Sequence, residues 1–257
     1  MHLTQEERLL AILEHLKHHG KISIEQICER FGVSRDTARR DLVKLEEERL
    51  IVRVRGGAIR PTLTREAIRY EDRVHHEAKR AIGRTAATLI RDGDYVLFDA
   101  STTVKCAAEE IYVRDLVAVT NSIDIADALG KSDQATVYLL GGKLNPWHRN
   151  IVGTQTVEML RQYRVDWVFL GACGLTEEGL TSSNPEEAFV KREMIRRADR
   201  TVVLADATKF GKTLFHSVCS WEDIDIIVTE QQPDDAFRNI LEQHDVQILI
   251  ATGGENG

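Results

Sequence analysis

The 257-residue sequence predicts an α/β chain in two parts: a small helical head ending in a basic hairpin, and a larger body built on a largely parallel sheet. Three observations predict it. Two short amphipathic helical segments meet across a glycine between Ile24 and Leu45. A basic, acid-free segment, 49–60, follows at once, folded around Gly56-Gly57. Beyond Gly93, short apolar runs alternate with helical stretches.

Composition fits that division. At 42% apolar residues the chain can bury a sizeable core and hold one small and one middle-sized domain. The expected boundaries are a head over 1–60, a charged linker over 61–76 and a body over 77–257. The net charge of −7 argues against a uniformly basic nucleic-acid coat. It hides an asymmetry: residues 1–60 carry +2 and the remainder −9, so basic head and acidic body are separable. No apolar run of about 18 residues occurs, and the N-terminus opens a polar helix rather than a signal peptide, which predicts a soluble, cytoplasmic protein. Cys28, Cys106, Cys173 and Cys219 lie far apart without a C-x-x-C pair, so neither a zinc site nor a disulfide framework is expected. No cofactor, metal site or catalytic residue is assigned.

Taking the elements in order, a helix from Thr4 to about His18 supplies Leu9, Leu10, Leu13 and Leu16 to the head's core. A second helix carries Ile24, Ile27, Cys28 and Phe31 on one face, and Gly32 breaks it where a sharp angle requires positive φ. Ser34 restarts the chain as an N-cap. On the third helix Ala38, Leu42 and Leu45 share the inner face, while Asp36, Arg40 and Val43 lie opposite with Arg35 and Arg39 on the flank. A recognition helix puts such an N-terminal half into the DNA major groove, where arginine suits guanine edges and phosphates. Helix, glycine turn and helix also occur in ordinary bundles. The hairpin holding Arg49, Arg53, Arg55 and Arg60 shifts the balance, because a basic wing beside a recognition helix is placed to touch phosphates or the minor groove. The candidate DNA-contacting set is Ser34, Arg35, Asp36, Thr37, Arg39, Arg40, Arg53, Arg55, Gly56 and Gly57.

The pattern S-x-x-T-x-R-R-D-L, a leucine-rich helical turn and then R-x-x-G-G-A resembles the N-terminal winged helix-turn-helix of the DeoR family of bacterial transcription regulators. The chain departs from the family's usual residues at Ala38 (Ile or Val), Arg49 (often Gly) and Arg55 (often His). None of these removes a DNA-facing arginine.

In the body, Ala78, Ala81, Ile82, Ala86 and Leu89 form a helical stripe. Strands are expected at 95–99, 116–120, 136–140, 167–171, 201–206, 224–229 and 247–251, giving a largely parallel sheet with helices on both faces. Ligands of such sheets sit beyond the carboxyl ends of the strands. There stand Asp99-Ala100-Ser101-Thr102-Thr103, Asn121-Ser122, Gly141-Gly142-Lys143, Gly171-Ala172-Cys173-Gly174 and Asp206-Ala207-Thr208-Lys209. A hydroxyl-rich loop entering a helix presents amides and a positive dipole end to a phosphate, and a lysine adds a full charge. Ser, Thr and Gly also cap helices in ordinary turns, so it is the convergence of five such loops that points to a site. No dinucleotide or nucleotide fingerprint occurs.

The resemblance to the DeoR family extends through D-A-S-T-T, V-T-N-S, L-G-G-K, G-A-C-G-L-T-E-E-G-L-T-S-S-N-P-E-E-A and L-A-D-A-T-K-F-G. It implies a sugar-phosphate sensor related in fold to ribose-5-phosphate isomerase and glucosamine-6-phosphate deaminase. The implied pocket comprises Asp99, Ser101, Thr102, Thr103, Asn121, Ser122, Gly141, Gly142, Gly171, Gly174, Glu187, Lys191, Asp206 and Lys209. Ser101 to Thr103 would cradle the phosphate, with Lys209 or Lys191 as counter-charge, while Asp99 and Asp206 accept from sugar hydroxyls. Ser101 stands where the family commonly has Gly, and it either crowds the phosphate or adds a donor. In the segment 145–150, Trp147 either stacks on a sugar or anchors an exposed loop, and His148 or Arg149 could meet an anion. The implied function is a transcription regulator, a repressor of a carbohydrate-utilisation operon, with double-stranded operator DNA and a phosphorylated sugar as partners and a homodimer or higher homo-oligomer as the assembly. The alternative is a sugar-phosphate isomerase or deaminase fused to a DNA-binding head, with Glu186, Glu187 and Lys191 as its acid–base groups.

Overall fold

A computed structural model describes residues 4–19, 21–47, 50–54, 56–59, 77–131, 133–146 and 148–251. The expected linker, Arg49, Arg55, Arg60 and Trp147 lie outside these residues. The chain divides into two compact units, Met1–Ala67 and Ile68–Gly257.

The first unit runs α1 (Gln5–His19), β1 (Lys21–Ser23), α2 (Ile24–Phe31), α3 (Arg35–Glu47), β2 (Val52–Val54) and β3 (Gly57–Ile59). Ser23 and Gln26 form a capping box that starts α2. Gly32, at φ 64°, ends α2 in the left-handed region expected of it. Leu9, Ile12 and Leu16 of α1 pack on Ile27, Ala38, Leu42 and Leu45, and each of the leucine and isoleucine side chains, fully buried, contributes about 1.5–3 kcal/mol. The expected two-stranded wing is the outer part of a three-stranded antiparallel sheet of order β1-β3-β2. The short strand β1 is too brief to leave a periodic signal. It approaches β3 so closely that a Cβ at Gly57 would collide with the Ile22 carbonyl.

The second unit begins with α4 (Glu77–Ala87), β4 (Tyr95–Phe98), α5 (Thr102–Glu109), β5 (Leu116–Thr120), α6 (Ile123–Leu129) and β6 (Ala135–Leu139). There follow β7 (Lys143–Asn145), β8 (Asn150–Val152), α7 (Thr154–Leu160), β9 (Val165–Gly171), β10 (Gly174–Thr176), β11 (Gly179–Ser182) and α8 (Pro185–Arg197). It closes with β12 (Ala198–Leu204), β13 (His216–Cys219), β14 (Ile226–Thr229), α9 (Asp235–Gln243) and β15 (Gln247–Ile250). The seven expected strands pair in one sheet of order β15-β14-β12-β9-β4-β5-β6, parallel throughout.

Alternate residues of these strands feed two cores, one on each face. Val96, Phe98, Phe169 and Val202 join the core that includes Ile82, Val104 and Ile125 of α4, α5 and α6. Leu97, Val168, Leu170 and Val203 join the core that includes Leu160, Met194 and Leu241 of α7, α8 and α9. Two features depart from a simple β/α alternation. The segment after β6 is a β7–β8 hairpin rather than a loop, with Arg149 at φ 51° near its tip. Strands β10, β11 and β13 form a separate antiparallel sheet.

Candidate functional site

On α3 the inner residues Ala38, Leu42 and Leu45 are buried and Arg35, Asp36, Arg39 and Arg40 are exposed. The Ser34 hydroxyl accepts from the Thr37 amide at 3.2 Å, so it caps α3. Arg35 pairs with Glu25, Arg39 lies 3.7 Å from Asp36, and Arg53 donates to Glu46 at 2.6 Å. Arg40 makes no ion pair among the described residues and stands outward from the helix. Asp41, within the R-R-D-L pattern, faces the opposite way. Its carboxylate is fully buried and accepts from Arg8 Nε at 2.5 Å, Arg8 Nη2 at 3.0 Å and Gln5 Nε2 at 3.1 Å. This pair holds α3 against α1 and raises the Arg8 pKa. Gly56, at φ 88°, makes the turn between β2 and β3.

In the second unit the loops singled out follow β4, β5, β6, β9 and β12, five contiguous strands of the parallel sheet, so their carboxyl ends share one edge. Strand order reverses between β9 and β4, the switch point where a crevice opens. Asp99 follows β4 and Gly171 ends β9. Asp99 Oδ2 accepts from the Gly171 amide at 3.1 Å and from Lys191 Nζ, which also donates to the Gly171 carbonyl at 3.0 Å. Burial alone would lower the Lys191 pKa, but Asp99, with Cys173 and Glu187, outweighs it and the pKa is raised. In this structure Asp99 and Lys191 therefore bind one another at the carboxyl ends of β4 and β9.

Ser101 caps α5, its hydroxyl accepting from the Thr103 amide at 3.2 Å. Its side chain lies over Gly171, where a Cβ would collide with it. The first-turn amides of a helix lack intrahelical acceptors, and here one of them is satisfied by Ser101 itself. Lys79, absent from the sequence-derived set, donates to Thr102 Oγ1 at 3.1 Å and is buried. What brings it there is Gly83 one turn later, where a Cβ would collide with the backbone of Cys106 and Ala107 on α5. Spacing offered a signal: Lys79, Ile82, Gly83 and Ala86 fall on one helical face, so a charge interrupts the buried stripe.

Asp206 caps a short 3-10 turn over Ala207–Lys209. Burial pushes its carboxyl up, but Thr208, Lys209 and Lys79 outweigh that and hold it below the ordinary value. Lys209 Nζ stands 3.6 Å from Asp206 Oδ2. Across the crevice, Asn121 ties two loops, accepting from the Ala100 amide at 3.1 Å and donating to the Ile151 carbonyl at 3.0 Å. Ser122 caps α6.

Two predicted glycines have packing reasons of their own. A Cβ at Gly142 would collide with Thr156, and one at Gly174 with the Lys212 carbonyl. The Gly141 carbonyl accepts from Thr156 Oγ1 at 3.0 Å. Glu187, in the first turn of α8, accepts from Asn150 Nδ2 at 3.0 Å, with His148 Nε2 3.9 Å away. Among the described residues no cluster of His, Cys, Asp and Glu is arranged to hold a metal ion, the four cysteines are free thiols, and no helix is long and apolar enough to cross a membrane.

The profile of the DeoR C-terminal sensor domain matches residues 74–231, and that of the DeoR-like helix-turn-helix domain matches residues 8–64. The chain belongs to the DeoR family. It is a DNA-binding transcription regulator with a sensor domain. Among DeoR-family relatives, the HTH-type transcriptional repressor GlcR of Bacillus subtilis (strain 168) is 45% identical over 98% of this chain and 99% of its own. The glycerol-3-phosphate regulon repressor of Escherichia coli (strain K12) is 29% identical over 96% of this chain and all of its own. A solved D-ribose-5-phosphate isomerase in complex with phospho-erythronic acid overlays 51% of this chain and 52% of that one with 16% identity and a TM-score of 0.39, too distant to bear on chemistry.

Proposed function

We propose that this DeoR-family regulator is a cytoplasmic repressor of a carbohydrate-utilisation operon, binding its operator as a homodimer or higher homo-oligomer and releasing or tightening that grip when a phosphorylated sugar enters the crevice at the β4/β9 switch point. The observation that carries the reading is Lys79, a buried lysine at the N-terminus of α5 beside Thr102 and Asp206. A fixed ammonium beside first-turn amides is a phosphate's environment, and Lys209 adds a second charge at the same edge. The DNA-facing part is α3, with Arg35, Arg39 and Arg40 for the major groove and the basic wing for the backbone. Two half-sites follow from the small surface of one reader.

The non-enzymatic reading has its own support. Glu186 pairs with Lys143 at 3.0 Å, Glu187 is bonded to Asn150, and Lys191 is held by Asp99. The groups an isomerase would need are thus each engaged by another residue of the chain.

The test combines thermal shift with DNA-binding anisotropy on a fragment selected in vitro, across a panel of sugar phosphates and their unphosphorylated sugars. At least one phosphorylated sugar should raise the melting temperature and change DNA affinity about tenfold or more, in line with typical coupling energies, and its unphosphorylated parent should do neither. A panel in which no phosphorylated sugar does so overturns the effector reading.

A further inference from the structure

Asn150 opens β8 and is 2% exposed. Its backbone bridges to Ser122, and the next residue, Ile151, is bonded to both the backbone and the side chain of Asn121. Its side chain therefore lies between the loop after β5 and the first turn of α8. The amide orientation is fixed chemically. Nδ2 donates to Glu187 Oε1 at 3.0 Å, and since a carboxylate only accepts, the nitrogen must face it. The oxygen is thereby turned away, and Asn150 Oδ1 is buried without a donor among the described residues. A buried acceptor left unmade is costly, and native proteins seldom keep one without a role.

We propose that Asn150 reads a hydroxyl of the sugar: its Oδ1 accepts from a ligand O–H, and Glu187 acts as the positioning residue that holds the amide oxygen towards the ligand. This rests on the effector reading above and adds the ligand class, a polyhydroxylated sugar phosphate rather than a bare phosphate or a short phosphoester. The phosphate end belongs to Lys79 and the first turn of α5, while the hydroxyl end belongs to the hairpin β7–β8 and α8. Asn121 joins the two loops that carry these ends.

The experiment is calorimetric titration of the full chain and of Asn150→Leu and Glu187→Gln with hexose 6-phosphates, their 2-deoxy and 2-amino analogues, glycerol 3-phosphate and inorganic phosphate. Asn150→Leu should weaken the best-bound hexose phosphate about 10- to 100-fold, the cost of an unanswered hydroxyl. Inorganic phosphate should bind it as it binds the parent chain. Glu187→Gln removes the constraint on the amide and should cost less, about 3- to 10-fold, with the same indifference to inorganic phosphate. Because Glu187 is acidic, tighter binding of the 2-amino than of the 2-hydroxy sugar would overturn the hydroxyl assignment in favour of an ammonium. Unchanged hexose phosphate affinity in Asn150→Leu, with or without a lower melting temperature, would also overturn it, because the oxygen would then be answered within the folded chain. If the parent chain binds no sugar phosphate at all, the effector reading falls and this one with it. Parent binding with an indifferent Asn150→Leu removes only the present inference.

Discussion

Each unit of this regulator contains a buried carboxylate bound to a buried cation, and the two pairs serve opposite ends. In the reader, Arg8 and Asp41 lock α3 against α1, and the arginines proposed to meet DNA stay outside on the exposed face. In the sensor, Asp99 and Lys191 lie at the carboxyl ends of β4 and β9, among the residues expected to meet the ligand. A surface that reads a large, charged polymer needs rigid support behind freely presented side chains. A pocket that reads a small molecule has to bury its polar groups, and buried polar groups must satisfy one another before any ligand arrives. On the proposed reading, binding and folding in the sensor therefore draw on the same residues.

The strongest challenge to that contrast is to remove one partner of each pair. Asp41→Ala and Asp99→Ala should each cost about 3–5 kcal/mol in urea unfolding, the penalty of an uncompensated buried charge. Asp41→Ala should abolish operator binding while leaving sugar-phosphate stabilisation of the sensor intact, and Asp99→Ala should remove that stabilisation. Loss of the effector response in Asp41→Ala would break the division.

Next in size are single functional side chains. Arg40→Ala should weaken operator binding about 10- to 100-fold at fixed salt, as loss of a base contact does, and move stability by no more than about 0.5 kcal/mol, as exposed sites do. Lys79→Met should weaken sugar-phosphate binding by a similar 10- to 100-fold, the worth of one charged hydrogen bond, but with a change in melting temperature as well. An Arg40→Ala chain with undiminished affinity would place that residue off the interface.

The smallest effect concerns pH. Burial pushes the Cys219 thiol up to about 12, and the acids around Lys191 raise its pKa despite burial. Both groups keep their protons to higher pH in the folded chain than in the unfolded one. The thiol's stabilising contribution is therefore complete below its unfolded value of about 8.5 and is lost as pH rises from there towards its folded value, whereas that of Lys191 is complete below about 10.4 and is lost only above it. Arg8 does not titrate in that range. Calorimetry from pH 8 to 11 should show the sensor transition falling faster than the reader's, and Cys219→Ala should flatten the fall. A slope unaffected by that substitution would mean the thiol is more hydrated than its burial indicates.

The same contrast explains what was legible in the sequence. In the head, periodicity, the Gly32 break and the Ser34 cap each name one element, and only β1, three residues long, escaped. The seven parallel strands were legible because runs buried on both faces are continuously apolar. The antiparallel additions were not, since β7, β8 and β10 are three residues each. Within the site, the hydroxyl loops were visible as turn residues at strand ends. That Asp99 and Lys191, 92 positions apart, hold each other was not, because pairing at that separation leaves no local pattern. Lys79 was hidden for another reason: it sits in a helix that reads as packing, and its neighbour Thr102 becomes visible only once Gly83 has let the two helices close.

Ser101 and Gly171 face each other across the switch point with no room between them. This couples their histories. While a hydroxymethyl group occupies position 101, position 171 can accept no side chain, so any lineage that drifts from glycine at 171 must first pass through glycine at 101. The order of those two substitutions is imposed by contact alone, and a survey of natural variants should find the double glycine as the intermediate and never the double side chain.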